Sequence, residues 1–437
     1  MTAITAETLT RAAIKFPSAV FLPALVLVTA SVAIAYSADM PPAIGAPIPY
    51  LPYAIGLVGA IIGWRFNRGR LVYAMVAIVI GHWLLAGPAR SVRPGSADQI
   101  GYLAYATLYP FGLAALSLLR ERGLTTRHGM IRAASLLGLC IVVAAIAGAN
   151  HWLIPEAARA IKGVTVSLLA FDFLPQAWES ATPLTDLAAV AFVAGTIFFI
   201  VRMFLHDHPP LDSGALGALL ATGLALHFVG QGDTPATFFA AAALILMIAA
   251  LQDGYRLAFV DELTGLPGRR ALTMETAKLG QRYAIAMLDV DHFKKFNDTY
   301  GHDVGDQVLR MVASRMDRIT GGGKPFRYGG EEFTAVFAGK TRDEAFSHLD
   351  ALRKSIEESG FVIRDKGRPK NKPEPGKKPE PGKKPRKSGN GGKTVSVTIS
   401  IGVAERTERT PTPETVLKAA DQALYRAKQA GRNRVST

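Results

Sequence analysis

A single cysteine, Cys140, denies this 437-residue chain any intramolecular disulfide, and its apolar neighbourhood marks it as a small packing residue. Acidic residues are also short: 35 Asp and Glu against 49 Lys and Arg give a formal net charge of +14. Such a balance suggests nucleic acid, but no nucleic-acid recognition motif accompanies it, so nucleic acid is not expected as a partner. The glycines Gly321 to Gly323 with Lys324 do not make a phosphate loop. Pro325 stands where Ser or Thr is required, and the spacing to an earlier glycine is wrong. The first apolar segment lacks a clear cleavage pattern and others follow it, which argues against a secretory signal peptide.

Most of the excess charge is local. From Arg364 to Lys393 there are twelve Lys or Arg and three Asp or Glu, a net of +9, in a tract that repeats Pro-Glu-Pro-Gly-Lys-Lys. Proline, glycine and like charge preclude a packed core. Residues 364–393 therefore read as a disordered insertion between neighbouring strands, Phe361-Val362-Ile363 and Val395 to Ile401. A solvated tether is one role for it and contact with anionic lipid another.

Residues 1–251 have a different composition, with apolar runs long enough to cross a bilayer separated by short loops that carry arginine. Eight spans are expected, at 18–36, 47–64, 71–85, 100–119, 131–149, 187–204, 215–229 and 238–251, with seven as the alternative count. An even number leaves both termini on one side. Arg65, Arg68 and Arg70 follow the second span and Arg120, Arg122, Arg127 and Arg132 the fourth, whereas the loop after the first has neither Lys nor Arg. Arg90, Arg93, Arg159 and Lys162, after the third and fifth, weaken the contrast without reversing it. The positive-inside rule then places the C-terminal part in the cytoplasm, in a multi-pass protein of the bacterial inner membrane. His82 and His227 fall within spans, either as functional ionisable groups or as interhelical hydrogen-bond formers. His206 and His208 lack a third metal ligand. Residues 150–186 would form the largest external loop, with Trp152, Phe173 and Trp178 available for interfacial packing or ligand contact.

The chemistry-bearing residues come after position 260. In Arg327-Tyr328-Gly329-Gly330-Glu331-Glu332-Phe333, two glycines form a hairpin tip between strands at 324–328 and 333–337, and two carboxylates follow at once. Main chain that a ligand can approach, beside paired carboxylates, suits a hard cation held together with substrate phosphates. A solvated charge pair is the plain alternative. Upstream, Tyr283 to Leu288 reads as a buried strand ending in Asp289-Val290-Asp291, where carboxylates are costly unless paired or metal-bound. Gly305-Asp306 then opens an amphipathic helix with Val308, Leu309, Val312 and Met316 on one face, which puts Asp306 at a helix start, as a cap or as a ligand group. The last helix has Thr412 as N-cap, Pro413 in its first position and Gly431 at its end, with Lys428 in the last turn and Arg432 just beyond. Both cations can face one anion, or can merely complement the helix dipole.

These pieces in this order resemble the GGDEF family of diguanylate cyclases, from Asp261 to the C-terminus. The matching strings are Asp261-Glu262-Leu263-Thr264-Gly265-Leu266-Pro267, residues 288–298, residues 300–306, Gly329 to Phe333, Ser400 to Ala404, Ala420 to Tyr425 with Ala427-Lys428, and Gly431-Arg432-Asn433. The resemblance implies an α/β catalytic domain like that of nucleotidyl cyclases, preceded here by an α-helical polytopic membrane domain. It also implies condensation of two GTP molecules into cyclic di-GMP by a homodimer, with Mg²⁺ as cofactor and Mn²⁺ as the alternative. Asp289, Glu331 and the Val290 carbonyl would hold the metal, and Glu332 would assist there or act as base for the ribose 3′-hydroxyl. Asn297 and Asp306 would read the guanine, and Lys294, Phe293, Lys428 and Arg432 would complete the nucleotide site. Receptors of cyclic di-GMP would be indirect partners.

Two departures stand out. Gly268 replaces the family's usual asparagine, and both residue types tolerate a left-handed turn. Thr320 to Gly323 occupies the place of the Arg-x-x-Asp motif of product-inhibited members, so that inhibitory site is absent and the segment reads as a flexible turn. The expected organisation is a membrane domain at 1–251, a linker at 252–260 and a catalytic domain at 261–437. The competing readings are a non-catalytic nucleotide receptor and a transporter with a regulatory cyclase-like domain.

Overall fold

The computed structural model describes residues 6–37, 40–85, 97–171, 173, 175, 182–205, 210–363 and 393–437. Arg90, Arg93, Trp178, His206, His208 and the basic tract at 364–392 lie outside them. The chain divides into two compact units, Met1–Gly254 and Tyr255–Thr437.

The first unit is helical. Its elements are α1 (Ala6–Ala35), a single turn α2 (Pro42–Gly45), α3 (Leu51–Arg65), α4 (Gly69–Leu85), α5 (Ala97–Leu118), α6 (Arg127–Ala147), α7 (Pro155–Leu169), α8 (Asp186–Leu205), α9 (Pro210–His227) and α10 (Thr234–Phe259). Every expected span thus coincides with a helix, and residues 252–259, read as linker, continue the last one. Five helical stretches among the described residues are long and apolar enough to cross a membrane: Pro42–Arg65, Gln99–Leu118, Arg127–Ala147, Asp186–Leu205 and Thr234–Phe259. Ala19–Ala35 and Gly69–Leu85 are apolar but shorter, and α9 is diluted by glycine and alanine.

The expected external loop contains α7, which sequence reading missed because its alternating small and charged residues carry no apolar run. Helix ends sort into two groups through their bonds. Arg68 pairs with Asp253 at 2.9 Å and Arg70 with Glu121 at 2.6 Å, joining the α3–α4 turn to the ends of α10 and α5. At the other end of the helices, His82 bonds the Pro49 carbonyl at 2.8 Å, His227 Nδ1 lies 3.1 Å from Thr182 Oγ1, and the Tyr102 hydroxyl donates to Pro183. Both His82 and His227 therefore have partners on other segments. Close packing uses small residues: a Cβ on Gly56, Gly59 or Gly63 of α3 would lie within 3 Å of Val79, Met75 or Val72 of α4.

The second unit is an α/β sandwich. After α11 (Arg269–Thr276) come β1 (Tyr283–Val290), α12 (Phe293–Tyr300), α13 (His302–Met316), β2 (Lys324–Gly329), β3 (Glu332–Ala338), α14 (Arg342–Glu357), β4 (Phe361–Ile363), β5 (Lys393–Val395), β6 (Ile399–Glu405), α15 (Pro413–Gln429) and β7 (Val435–Ser436). The main sheet runs β2-β3-β1-β6-β7, antiparallel except for the β6–β7 pair. All eight residues of β1 are buried because helices cover both faces. Ala284, Ala286, Leu288 and Val290 pack with Val308, Val312 and Met316 of α13 and Leu349 of α14, while Ile285 and Met287 pack with Val416, Ala420 and Leu424 of α15. Burying one such side chain contributes about 1.5–3 kcal/mol. The alternation assigns Asp289 to the α15 face.

The insertion's flanks are neighbouring strands, as expected. Phe361 pairs with Val395 and Ile363 with Lys393, in a two-stranded sheet of their own. The second flank is not one continuous strand, because residues 396–398 interrupt it before β6.

Candidate active site

Asp289 is the last residue but one of the central strand and stands opposite Glu332 in the β1–β3 register. The hairpin tip is shifted by one residue from expectation: Gly329 still belongs to β2, Gly330 at φ +49 makes the turn together with Glu331, and only Glu332 lies on β3. On the other side, Lys428 reaches from the last turn of α15 to place its ammonium 2.9 Å from the Asp289 carboxylate. Thr412 caps that helix in a reciprocal pair with Thr415, and Pro413 occupies its first position. At its end Gly431 takes φ +108, and the Arg432 N–H closes back on the Ala427 carbonyl at 3.0 Å. What holds α15 so near is Gly402 of β6. A Cβ there would stand 2.0 Å from Leu424 N and 2.2 Å from the Ala420 carbonyl oxygen, both main-chain atoms.

Electrostatics tie the group together. Burial pushes the Asp289 carboxyl up, and Asp291 adds to this, while Lys428 and then Arg432 pull against it. Glu331 and Glu332 are likewise raised, first by burial and then by the Asp289 charge, with Lys428 opposing both. No three His, Cys, Asp or Glu among the described residues form a ready metal cage. A hard cation completed by substrate phosphates and water needs only one or two carboxylates, so the donor set fits Mg²⁺ as an open site.

The proposed base-reading residues lie on the opposite face of the sheet, in the α12–α13 layer. Asn297 crosses Gly305, where a Cβ would meet its Oδ1 at 1.8 Å, and this buried oxygen has no hydrogen-bond partner. Asp306 is not at a helix start: α13 begins at His302 with Gly301 as its cap, so Asp306 sits one turn in, half-buried. The early turn of α13 was invisible to periodicity because His302 and Asp303 are polar and exposed. Lys294 is exposed, and the Phe293 ring belongs to the core beneath Gly305.

Several supporting contacts escaped sequence reading. Asp291 accepts from Thr398 Oγ1 at 2.7 Å, Ser400 Oγ at 2.6 Å and the Asn433 N–H at 3.1 Å, which spends it on structure. Asn433 also bonds Arg353 and Glu357 at 3.0 and 2.7 Å. These ties hold Arg432 and Asn433 at φ +62 and +46, a costly conformation for residues with side chains. Arg327 links Asp261, at 2.7 Å, to the Gly330 carbonyl at the tip, at 2.7 Å. Burial alone would raise the Asp261 carboxyl, but bonds from Thr264 and Arg327 outweigh it and hold it low. An open cavity of about 400 Å³ beside the cluster is lined by Glu332, Asp421, Gln422, Tyr425, Arg426 and Lys428. A larger cavity, about 650 Å³, belongs to the helical unit between α4, α5 and α6, and its almost wholly apolar lining offers no catalytic chemistry.

Residues 258–372 and 383–434 match the family described as diguanylate cyclase, GGDEF domain, and the break in the match falls inside the basic tract. The C-terminal unit is a GGDEF domain. Its relatives include the response regulator PleD of Caulobacter vibrioides, 34% identical over 193 residues (42% of this chain, 37% of PleD), and the diguanylate cyclase VdcA of Vibrio cholerae, 36% identical over 182 residues (41% of this chain, 46% of VdcA). The chain thus spans less than half the length of either. Among solved structures, the coiled coil and GGDEF domain of DgcB from Caulobacter crescentus, in complex with c-di-GMP, is 31% identical over 45% of this chain and 94% of that one, with a TM-score of 0.37. Within this GGDEF domain, Gly268 is extended (φ −87, ψ −175), so left-handed tolerance does not explain the glycine there. Thr320 to Gly323 forms a turn with Gly321 and Gly322 at φ +72 and +74. It is tethered, since Thr320 Oγ1 lies 2.8 Å from His348 Nδ1 and Gly321 sits against the same ring.

Proposed function

We propose that this chain is a membrane-bound diguanylate cyclase that condenses two GTP molecules into cyclic di-GMP and two pyrophosphates, as a homodimer with one nucleotide per protomer. The observation that carries the reading is the Lys428 ammonium 2.9 Å from Asp289, which stands opposite Glu332 in the sheet and beside the glycine tip. Each 3′-oxygen forms a bond to the α-phosphorus of the opposite GTP, each bond to pyrophosphate breaks, and each hydroxyl loses its proton.

Asp289 and Glu331, with the Val290 carbonyl, would hold Mg²⁺. The bound ion would lower the hydroxyl pKa and offset phosphate charge. Glu332, raised by burial and by Asp289, is poised to accept the hydroxyl proton or to serve as a third ligand. Asn297 and Asp306 would read the guanine edge, the unpartnered Asn297 oxygen taking a guanine N–H. Lys428, Arg432 and Lys294 would hold the triphosphate, since phosphoryl transfer depends mainly on positioning and charge neutralisation. One site per protomer supplies only one substrate, which is why two copies must face each other.

The helical unit would be the membrane domain, with α7 on the outer side and the GGDEF domain in the cytoplasm. Purified protein incubated with GTP and Mg²⁺ should yield cyclic di-GMP by mass spectrometry; no product, or hydrolysis to GDP alone, would overturn the reading. Reporter fusions in the α5–α6 turn and after Thr437 should both report cytoplasm, and opposite locations would sink the topology.

A further inference from the structure

Asp289 is fixed. It lies one residue from the end of the central strand, has β3 on one side and β6 on the other, and is only 6% exposed. A carboxylate so placed needs a counter-charge. Among the described residues the side-chain cation within ion-pair distance is Lys428, at 2.9 Å, with Arg432 acting from farther away. Lys428 is the movable member of the pair. It hangs from the end of a helix on a flexible four-carbon stem, and its side chain is 32% exposed.

A divalent ion arriving alone meets an ammonium already on its carboxylate, and two like charges a few ångströms apart repel in this partly buried place. A nucleotide brings phosphates on which that ammonium can settle. We propose that Lys428 is the resting counter-ion of the metal site, and that transfer of its ammonium from Asp289 to the nucleotide phosphates is what frees the carboxylate, so that metal and nucleotide load together. The idea rests on the cyclase reading, and adds to it an order of events and a reciprocal coupling. It makes the free protein a poor binder of divalent ions despite three neighbouring carboxylates.

The test is Mn²⁺ binding to the full chain in detergent, measured by electron paramagnetic resonance with and without 3′-deoxy-GTP, which has no attacking hydroxyl and does not turn over. Lys428→Met should bind Mn²⁺ alone roughly tenfold more tightly than the wild type, and the gain in Mn²⁺ affinity on adding nucleotide should shrink by a similar factor. Lys428→Arg should restore the wild-type pattern. Thermal unfolding with and without Mn²⁺ checks that each variant is folded, and Lys428→Gln replaces a Met variant that is not. Equal Mn²⁺ affinity in wild type and Lys428→Met, or undiminished coupling, would overturn the proposal while leaving the cyclase reading intact. Mn²⁺ binding that survives Asp289→Asn unchanged would remove the metal site itself, and both readings with it.

Discussion

In the helical unit many large apolar side chains are outside: Phe21, Leu57, Ile141 and Val193 are each more than half exposed, although Phe199, Phe239 and Leu219 fill a core in which the carboxylates of Asp186 and Asp212 are also buried. In the GGDEF unit far fewer are exposed, with β1 sealed on both faces and charge spread over the helices that cover it. The contrast teaches where each unit keeps its polar groups. A helix satisfies its own backbone and can present an apolar surface to lipid. The sheet instead concentrates its few buried charges at one strand end, where Lys428 answers Asp289 and three donors answer Asp291.

If chemistry belongs to that strand end alone, Asp289→Ala and Glu331→Ala should each lower cyclic di-GMP formation by roughly a hundredfold or more, and leave folding intact. Rates within a few-fold of wild type would break the contrast. Gly402→Ala should cost about 1–3 kcal/mol or more, because the added carbon meets main chain that cannot turn aside. Thermal unfolding should register the loss in the GGDEF unit, whereas the same change at Gly112 of the helical unit, which has open space around it, should be nearly silent.

A smaller, selective effect is expected at Asp306. Its replacement by Ala should erode the preference for GTP over ATP, and since Gly301 is the cap, stability should hold. Smaller still, added cyclic di-GMP should inhibit only where it competes with GTP, because Thr320 to Gly323 offers neither guanidinium nor carboxylate; potent non-competitive inhibition in initial-rate assays would reveal another product site. Replacing residues 365–393 with a short Gly-Ser turn should change turnover least of all.

The sequence was most legible where physics is local. The apolar run of β1, the glycine tip, and the Thr412, Pro413 and Gly431 signals of α15 each announced their element. It was least legible where partners are distant: nothing near Asp291 points to Thr398, Ser400 or Asn433, more than a hundred residues away, and the Asp261–Arg327 link spans 66 positions. In the helical unit hydropathy located the helices, but α7 lacked an apolar run and α9 is diluted by glycine, so it falls outside the stretches long and apolar enough to cross a membrane.

The two-stranded clasp of β4 and β5 has a practical use. It fixes the ends of the basic tract side by side, with Ile363 across from Lys393, outside the five-stranded sheet that carries Asp289 and Glu332. Because closing a long loop costs little more than closing a short one, that gap is a port for engineering. A fluorescent protein whose own termini lie close together could be spliced there without severing any strand of the main sheet, turning the protein into an optical marker of its own position in a living cell.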